Sequence, residues 1–282
     1  MTWDKFVLCF SMAVSCVLIC LNIVTFAKIW AGRRYKIFLM LTSMFLISNV
    51  GNLIAACGYY AGQITKSVKY EQNDLAAFGT MIFYLFSNEA HWVLAVYYMK
   101  IARNTPKIIE GRFDQVKDYK RTIKIGAAII AIFPIVQGSV WMIQNKQYSA
   151  NQQQAIWTVV LYQLAVLGVF VSVTVICFYL IKALRQIKKF MSERQISEVL
   201  NVNTMLKHAA SFGVFALSVF LSFVAFAIYS IFNLKECILN SCSRQETKAK
   251  IIIETAGFFE EICLFISQAI LLYIFWELSS KQ

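Results

Sequence analysis

The chain has 282 residues, 59% of them hydrophobic and only 15% charged, with a formal net charge of +12 and a mean hydropathy of +0.60. A soluble domain carries about 25% charged residues, so this composition excludes an ordinary water-exposed fold and directs the apolar surface toward lipid. Nor does the basic excess describe a nucleic-acid binder, because Lys and Arg lie in short stretches between apolar runs, where anionic headgroups meet them.

Crossing the hydrocarbon takes about 20 apolar residues in a helix. Runs of that kind fall, in chain order, at about 6–30, 37–61, 75–101, 123–144, 155–181, 209–234 and 251–276. The expected fold is an all-α seven-transmembrane helix bundle forming one domain over 1–282. The first run is too long for the apolar core of a cleavable leader and reads as the first span. The short alternating segments of a membrane β-barrel do not occur.

Loop charge orients the bundle. With the N-terminus outside and the C-terminus in the cytoplasm, 19 of the 27 Lys and Arg fall on the cytoplasmic side and 8 outside, as the positive-inside rule requires. Trp3, Trp141 and Trp157 then sit at outer span ends and Trp30 and Trp276 at inner ends, where an indole is most comfortable. Only Trp92 lies mid-span.

Span one carries Asn22 and the small apolar Cys16 and Cys20, which, like Cys177 and Cys263, are expected to be buried. In span two, Gly51, Ala55, Gly58 and Gly62 form a stripe that lets a neighbouring backbone approach closely, beside Asn49 and Asn52. Pro134 is expected to kink span four, which also holds Gln137; Gln163 follows in span five. The loop at about 102–122 and the segment 182–208 are the largest cytoplasmic pieces. In the latter, Leu180, Leu184, Ile187 and Met191 keep helical spacing, so span five is expected to continue beyond the bilayer with Arg185, Lys188 and Lys189 on its polar side. Those three form a candidate face for a cytoplasmic signalling protein; a solvated helix held by lipid headgroups is the other reading. Cys237 and Cys242 share the last outer loop at a spacing that permits a local disulfide; two free thiols is the alternative.

Polar residues in the middle of spans carry the functional reading, since a charge at the bilayer centre costs about 2.5–3.5 kcal/mol and such groups turn to the bundle interior. Span three holds Asn88-Glu89-Ala90-His91-Trp92, and span seven holds Glu254, Glu260 and Glu261. Glu254, Glu261 and Gln268 share one helical stripe, while Tyr84, Asn88, His91, Ala95 and Tyr98 share another. The two stripes are expected to meet in a polar core. There the carboxyls could glue helices together, line a pocket for a small cationic or hydrogen-bonding ligand, or with His91 form a proton or cation path.

Known chemistries find no support. With two histidines, His91 and His208, and no HExxH or CxxC, no metal site is expected. No Walker loop or GxSxG elbow occurs, and no lysine stands in span seven for a retinal Schiff base. No cofactor and no enzymatic activity are expected.

Seven spans, an outer N-terminus and a basic extension after span five resemble the layout of G-protein-coupled receptors, and Leu21-Asn22-Ile23-Val24 resembles the first-helix asparagine of the rhodopsin-like group. The chain departs from that group's motifs: Tyr98-Met99-Lys100-Ile101-Ala102-Arg103 replaces Asp/Glu-Arg-Tyr, span six lacks Cys-Trp-X-Pro, and Phe265-Ile266-Ser267-Gln268-Ala269 replaces Asn-Pro-X-X-Tyr. The tract His91-Trp92, with Ala95 and Tyr98, is similar to orphan seven-helix proteins of ciliated protists. The resemblance implies a receptor-like protein that binds a small ligand in the bundle and signals through basic cytoplasmic loops. A transporter or channel using the span three and seven carboxyls, or a scaffold subunit without a ligand, are the alternatives.

Overall fold

In hydrocarbon the backbone N–H and C=O groups find no partner but one another, so apolar runs of this length fold as helices. The computed structural model describes residues 3–32, 36–64, 71–147, 152–193, 205–214, 217, 220–221, 224 and 246–280. Among these residues every regular element is helical. The elements are α1 (Trp3–Gly32), α2 (Lys36–Ile64), α3 (Glu71–Ile109), a 3-10 turn (Phe113–Gln115), α4 (Lys120–Gln147), α5 (Gln152–Glu193), α6 (205–214, with helical residues at 217, 220, 221 and 224) and α7 (Glu246–Ser280). Within the described residues, four segments are long and apolar enough to cross a membrane: Lys5–Ala31, Lys36–Tyr60, Lys120–Ile143 and Val160–Glu193. The chain is therefore built as a multi-pass integral membrane protein.

Five hydroxyl groups inside these helices bond within their own helix. Thr42, Ser43, Thr80, Ser172 and Thr174 each donate to the carbonyl four residues back, at 2.7–3.0 Å. The back-bond lets a polar residue sit in an apolar run without stranding a donor.

Contact pairs fix the directions. Phe38–Tyr97 and Phe45–His91 make α2 antiparallel to α3, and Phe38–Phe275 with Asn49–Gln268 makes it antiparallel to α7. Phe10–Phe258 and Lys28–Trp276, with the Lys28 ammonium 3.5 Å from the indole centroid, show α1 and α7 running the same way. α3 is the hub, packing on α2, α4 and α5 and meeting α6 through His91 and Phe212.

The backbones of α2 and α3 approach closely where they cross. A β-carbon on Gly51 would meet the Phe83 backbone nitrogen at 2.8 Å, and one on Gly79 would strike the backbone of Ala55. The expected small-residue stripe thus works at Gly51 and Ala55, with Gly79 as the partner the sequence did not reveal. The crossing also lets Ser48 Oγ donate to the Phe83 carbonyl at 3.0 Å.

Two expectations need correction. Cys16 and Cys20 are exposed on the outer face of α1 beside Val17, Leu21 and Val24, while Cys177 is buried; a cysteine is apolar enough to face lipid as readily as core. The stretch at 102–122 is not mainly loop. α3 runs on through Pro106 to Ile109 and stops at Gly111, whose φ of 72° allows Arg112 N–H to reach the Lys107 carbonyl at 2.8 Å. Asn104 then clamps the returning chain, donating to the Lys117 carbonyl at 2.9 Å and accepting from its N–H at 3.2 Å.

α5 continues to Glu193 as expected. Leu180, Leu184 and Ile187 are buried and Met191 packs against the core, so the extension is held by an apolar seam, and Arg185, Lys188 and Lys189 stand exposed on its other side.

Candidate functional site

The stripe Glu261–Gln268 on α7 turns toward α1 and α2. Ser11 Oγ donates to Glu261 Oε1 at 2.6 Å, and the Asn52 amide donates to both carboxyl oxygens at 3.1 and 3.2 Å and reaches Ser15 Oγ at 3.0 Å. Two turns further along α7, Asn49 Nδ2 donates to Gln268 Oε1 at 2.8 Å. These rungs follow from sequence phase: Glu261 and Gln268 lie a heptad apart, and Asn49 and Asn52 lie three apart on the antiparallel partner. Ser11 and Ser15, an i,i+4 pair on α1, were not singled out by sequence, although their spacing was a usable signal.

The α3 stripe faces α6 instead. His91 is fully buried, its ring parallel to Phe212 at a centroid distance of 3.7 Å and edge-on to Phe45 at 5.0 Å. His208, one helical turn before Phe212, lies parallel to His91 at 5.7 Å. Nδ1 of His91 lies 2.7 Å from the Ser87 carbonyl, and Nδ1 of His208 lies 3.0 Å from the Ser267 carbonyl. Carbonyl oxygens only accept, so Nδ1 carries the proton in both rings and Nε2 of each neutral ring is an acceptor. His208 thereby bridges α3 and α7 through His91 and Ser267, whereas the sequence pattern has their polar stripes meet directly. It was missed because it stands at the edge of span six, beside Lys207.

Polar atoms in this layer lack partners. Among the described residues, Ser87 Oγ, both amide atoms of Asn88, Nε2 of His91 and of His208, and Nε2 of Gln268 are buried without a hydrogen bond. Each such group left unpaired costs about 1–3 kcal/mol, and native interiors contain few of them.

The remaining candidates fall elsewhere. Trp92 is structural: its Nε1 donates to the Ile123 carbonyl at 3.2 Å, and its ring packs on Gly126 of α4 and edge-on to Tyr179 of α5. Glu89 lies two residues from His91, about 200° around the helix, and is only half-buried on the outer side of α3; it does not join the polar core. The expectation that mid-span charges turn inward fails there because helical phase ties Glu89 to the face opposite His91. The side chains of Glu254 and Glu260, and Cys237 and Cys242 altogether, lie outside the described residues. Arg185, Lys188 and Lys189 stand apart on α5, where Lys189 pairs with Glu193 at 3.7 Å. Among the described residues no cluster of His, Cys, Asp and Glu is arranged to hold a metal ion.

This helical bundle with a buried polar layer defines a multi-pass membrane protein. No protein-family model matches the chain, and no curated protein matches it in sequence.

Proposed function

We propose that the protein is a seven-span, receptor-like membrane protein that binds a small hydrogen-bond-donating ligand between α3, α6 and α7. In this reading α3, the segment begun by α6, and α7 are spans alongside the four apolar helices, with the N-terminus outside and the basic ends of α3, α4 and α5 in the cytoplasm. The 19-to-8 division of Lys and Arg supports that orientation.

One observation carries the ligand: the unpartnered polar atoms of Asn88, His91, His208 and Gln268 in one buried layer. Two acceptor nitrogens on parallel rings suit a molecule with N–H or O–H donors, and the Asn88 amide suits a molecule that also accepts. An exposed basic face at Arg185, Lys188 and Lys189, on the same rigid helix as the buried Leu180–Ile187 seam, supplies a surface for a cytoplasmic partner.

The test is a panel of small amines, amides and alcohols screened by thermal stabilisation of the protein in lipid nanodiscs, with His208→Leu in parallel. A compound that stabilises wild type and binds the variant about tenfold or more weakly, the scale of one lost hydrogen bond, supports the reading. A panel that never distinguishes the two proteins overturns it.

A further inference from the structure

From the unpartnered, outward-facing carboxyl of Glu89 we infer that the protein self-associates in the membrane, through the outer face of α3 and with Glu89 of one copy against Glu89 of the next. The placement is set by the contacts of α3. α2 covers one flank, where Ser48 reaches the Phe83 carbonyl and Phe38 meets Tyr97 edge-on. α4 covers the other, where Trp92 bonds the Ile123 carbonyl and Met81 abuts Gly138. Glu89 emerges between these flanks, half-buried, and among the described residues it makes no hydrogen bond or ion pair. The contact register sets it level with Ile47 of α2 and Ile129 of α4, both exposed at 41% and 53%. On the stripe of α3 that carries Glu89, Leu75 and Phe78 are exposed whereas Val93 and Val96 are buried, so the carboxyl stands at mid-span on the inner margin of an exposed apolar patch, where lipid offers it no partner.

A second copy supplies one. Two copies inserted with the same orientation are related by an axis along the membrane normal, which brings each residue opposite itself at equal depth. In hydrocarbon an unpaired carboxyl is held in its neutral form, which is both donor and acceptor, so two such groups satisfy each other without any other polar residue on the face. The surrounding isoleucines and the aromatic Phe78, 43% exposed, supply packing. Across such an interface an interhelical hydrogen bond replaces an unsatisfied group in hydrocarbon and adds to side-chain packing as a reason for helices to associate in lipid.

The experiment uses the full chain reconstituted in vesicles at increasing lipid dilution, with subunit number read by single-molecule photobleaching. Wild type is expected to dimerise, Glu89→Leu to dimerise about tenfold or more weakly, and Glu89→Gln, whose amide also donates and accepts, to retain association. In a background lacking the exposed Cys16, Cys20 and Cys57, Leu85→Cys, one turn from Glu89, should cross-link between copies, whereas Val171→Cys on exposed α5 should not. Thermal unfolding of each variant checks that the fold persists. A monomeric wild type at every dilution, or equal association of wild type and the leucine variant, overturns the proposal. So does a cross-link confined to Val171→Cys.

Discussion

Trp92 and Gly126 meet across the α3–α4 seam, the indole occupying the place where a β-carbon on residue 126 would stand, while its Nε1 donates to the Ile123 carbonyl one turn away. Gly126→Ala should therefore cost about 1–3 kcal/mol through overpacking. Adding Trp92→Leu should recover part of that loss, because the two changes share one contact and cannot be additive. Thermal unfolding of the single and double variants in detergent micelles checks this; strict additivity would contradict the packing described.

A harsher result is expected at the α2–α3 crossing. The atoms that a β-carbon on Gly79 would strike are the Ala55 nitrogen and the Gly51 carbonyl oxygen, and backbone cannot rotate away as a side chain can. Gly79→Ala should lower stability by more than about 3 kcal/mol or prevent recovery of folded protein. Recovery of the variant with wild-type stability would mean the two helices are further apart than described.

Glu261 offers a test of what its carboxyl does. Glu261→Leu removes the acceptor of the Ser11 hydroxyl and of one Asn52 amide N–H, leaving that amide only Ser15 Oγ, and should cost about 1–3 kcal/mol for each donor left buried. Glu261→Gln keeps an acceptor oxygen and should cost less than the leucine change. Denaturant unfolding in micelles gives the comparison, and equal losses would remove the hydrogen-bond account. In sealed vesicles, no Glu261-dependent proton, sodium or potassium flux is expected of a receptor-like protein. A flux abolished by Glu261→Gln would move the assignment to transport, because Gln preserves the shape but cannot exchange a proton.

Orientation is checked by accessibility. In a cysteine-depleted background, a cysteine placed next to Lys146 should react with a membrane-impermeant maleimide added to intact cells, and one next to Lys188 should be protected until the membrane is opened. The reverse pattern would invert the bundle and every role given to its ends.

How far the sequence could be read depended on whether a feature was local. Helical spans follow from apolar run length, and the shared stripe of Glu261 and Gln268 follows from 3.6-residue phase; both side chains do bond to α2. Phase also contains the outward direction of Glu89, since two residues from His91 means the far side of α3, but burial cost alone argued for an inward direction. Neighbour identity is not local. Nothing in the run containing His91 shows that α6 covers it, and nothing in the Gly51 stripe shows that Gly79 is the residue that fits there. The end of α3 has another reason: the apolar run stops near Ile101, whereas the helix carries Pro106 and basic residues on to Ile109, and Gly111 is where the backbone turns.

At α5, one glycine has a mechanical consequence. The Phe133 ring of α4 rests on Gly168, where a β-carbon would collide with it, so α5 bears on a hard, narrow fulcrum about 32 Å from Lys189 at 1.5 Å per residue. That fulcrum and the seam of Leu180, Leu184, Ile187 and Met191 seat the rod at two levels, so the basic tip shifts only if the seam beneath it shifts too, as a beam on two supports moves only with both.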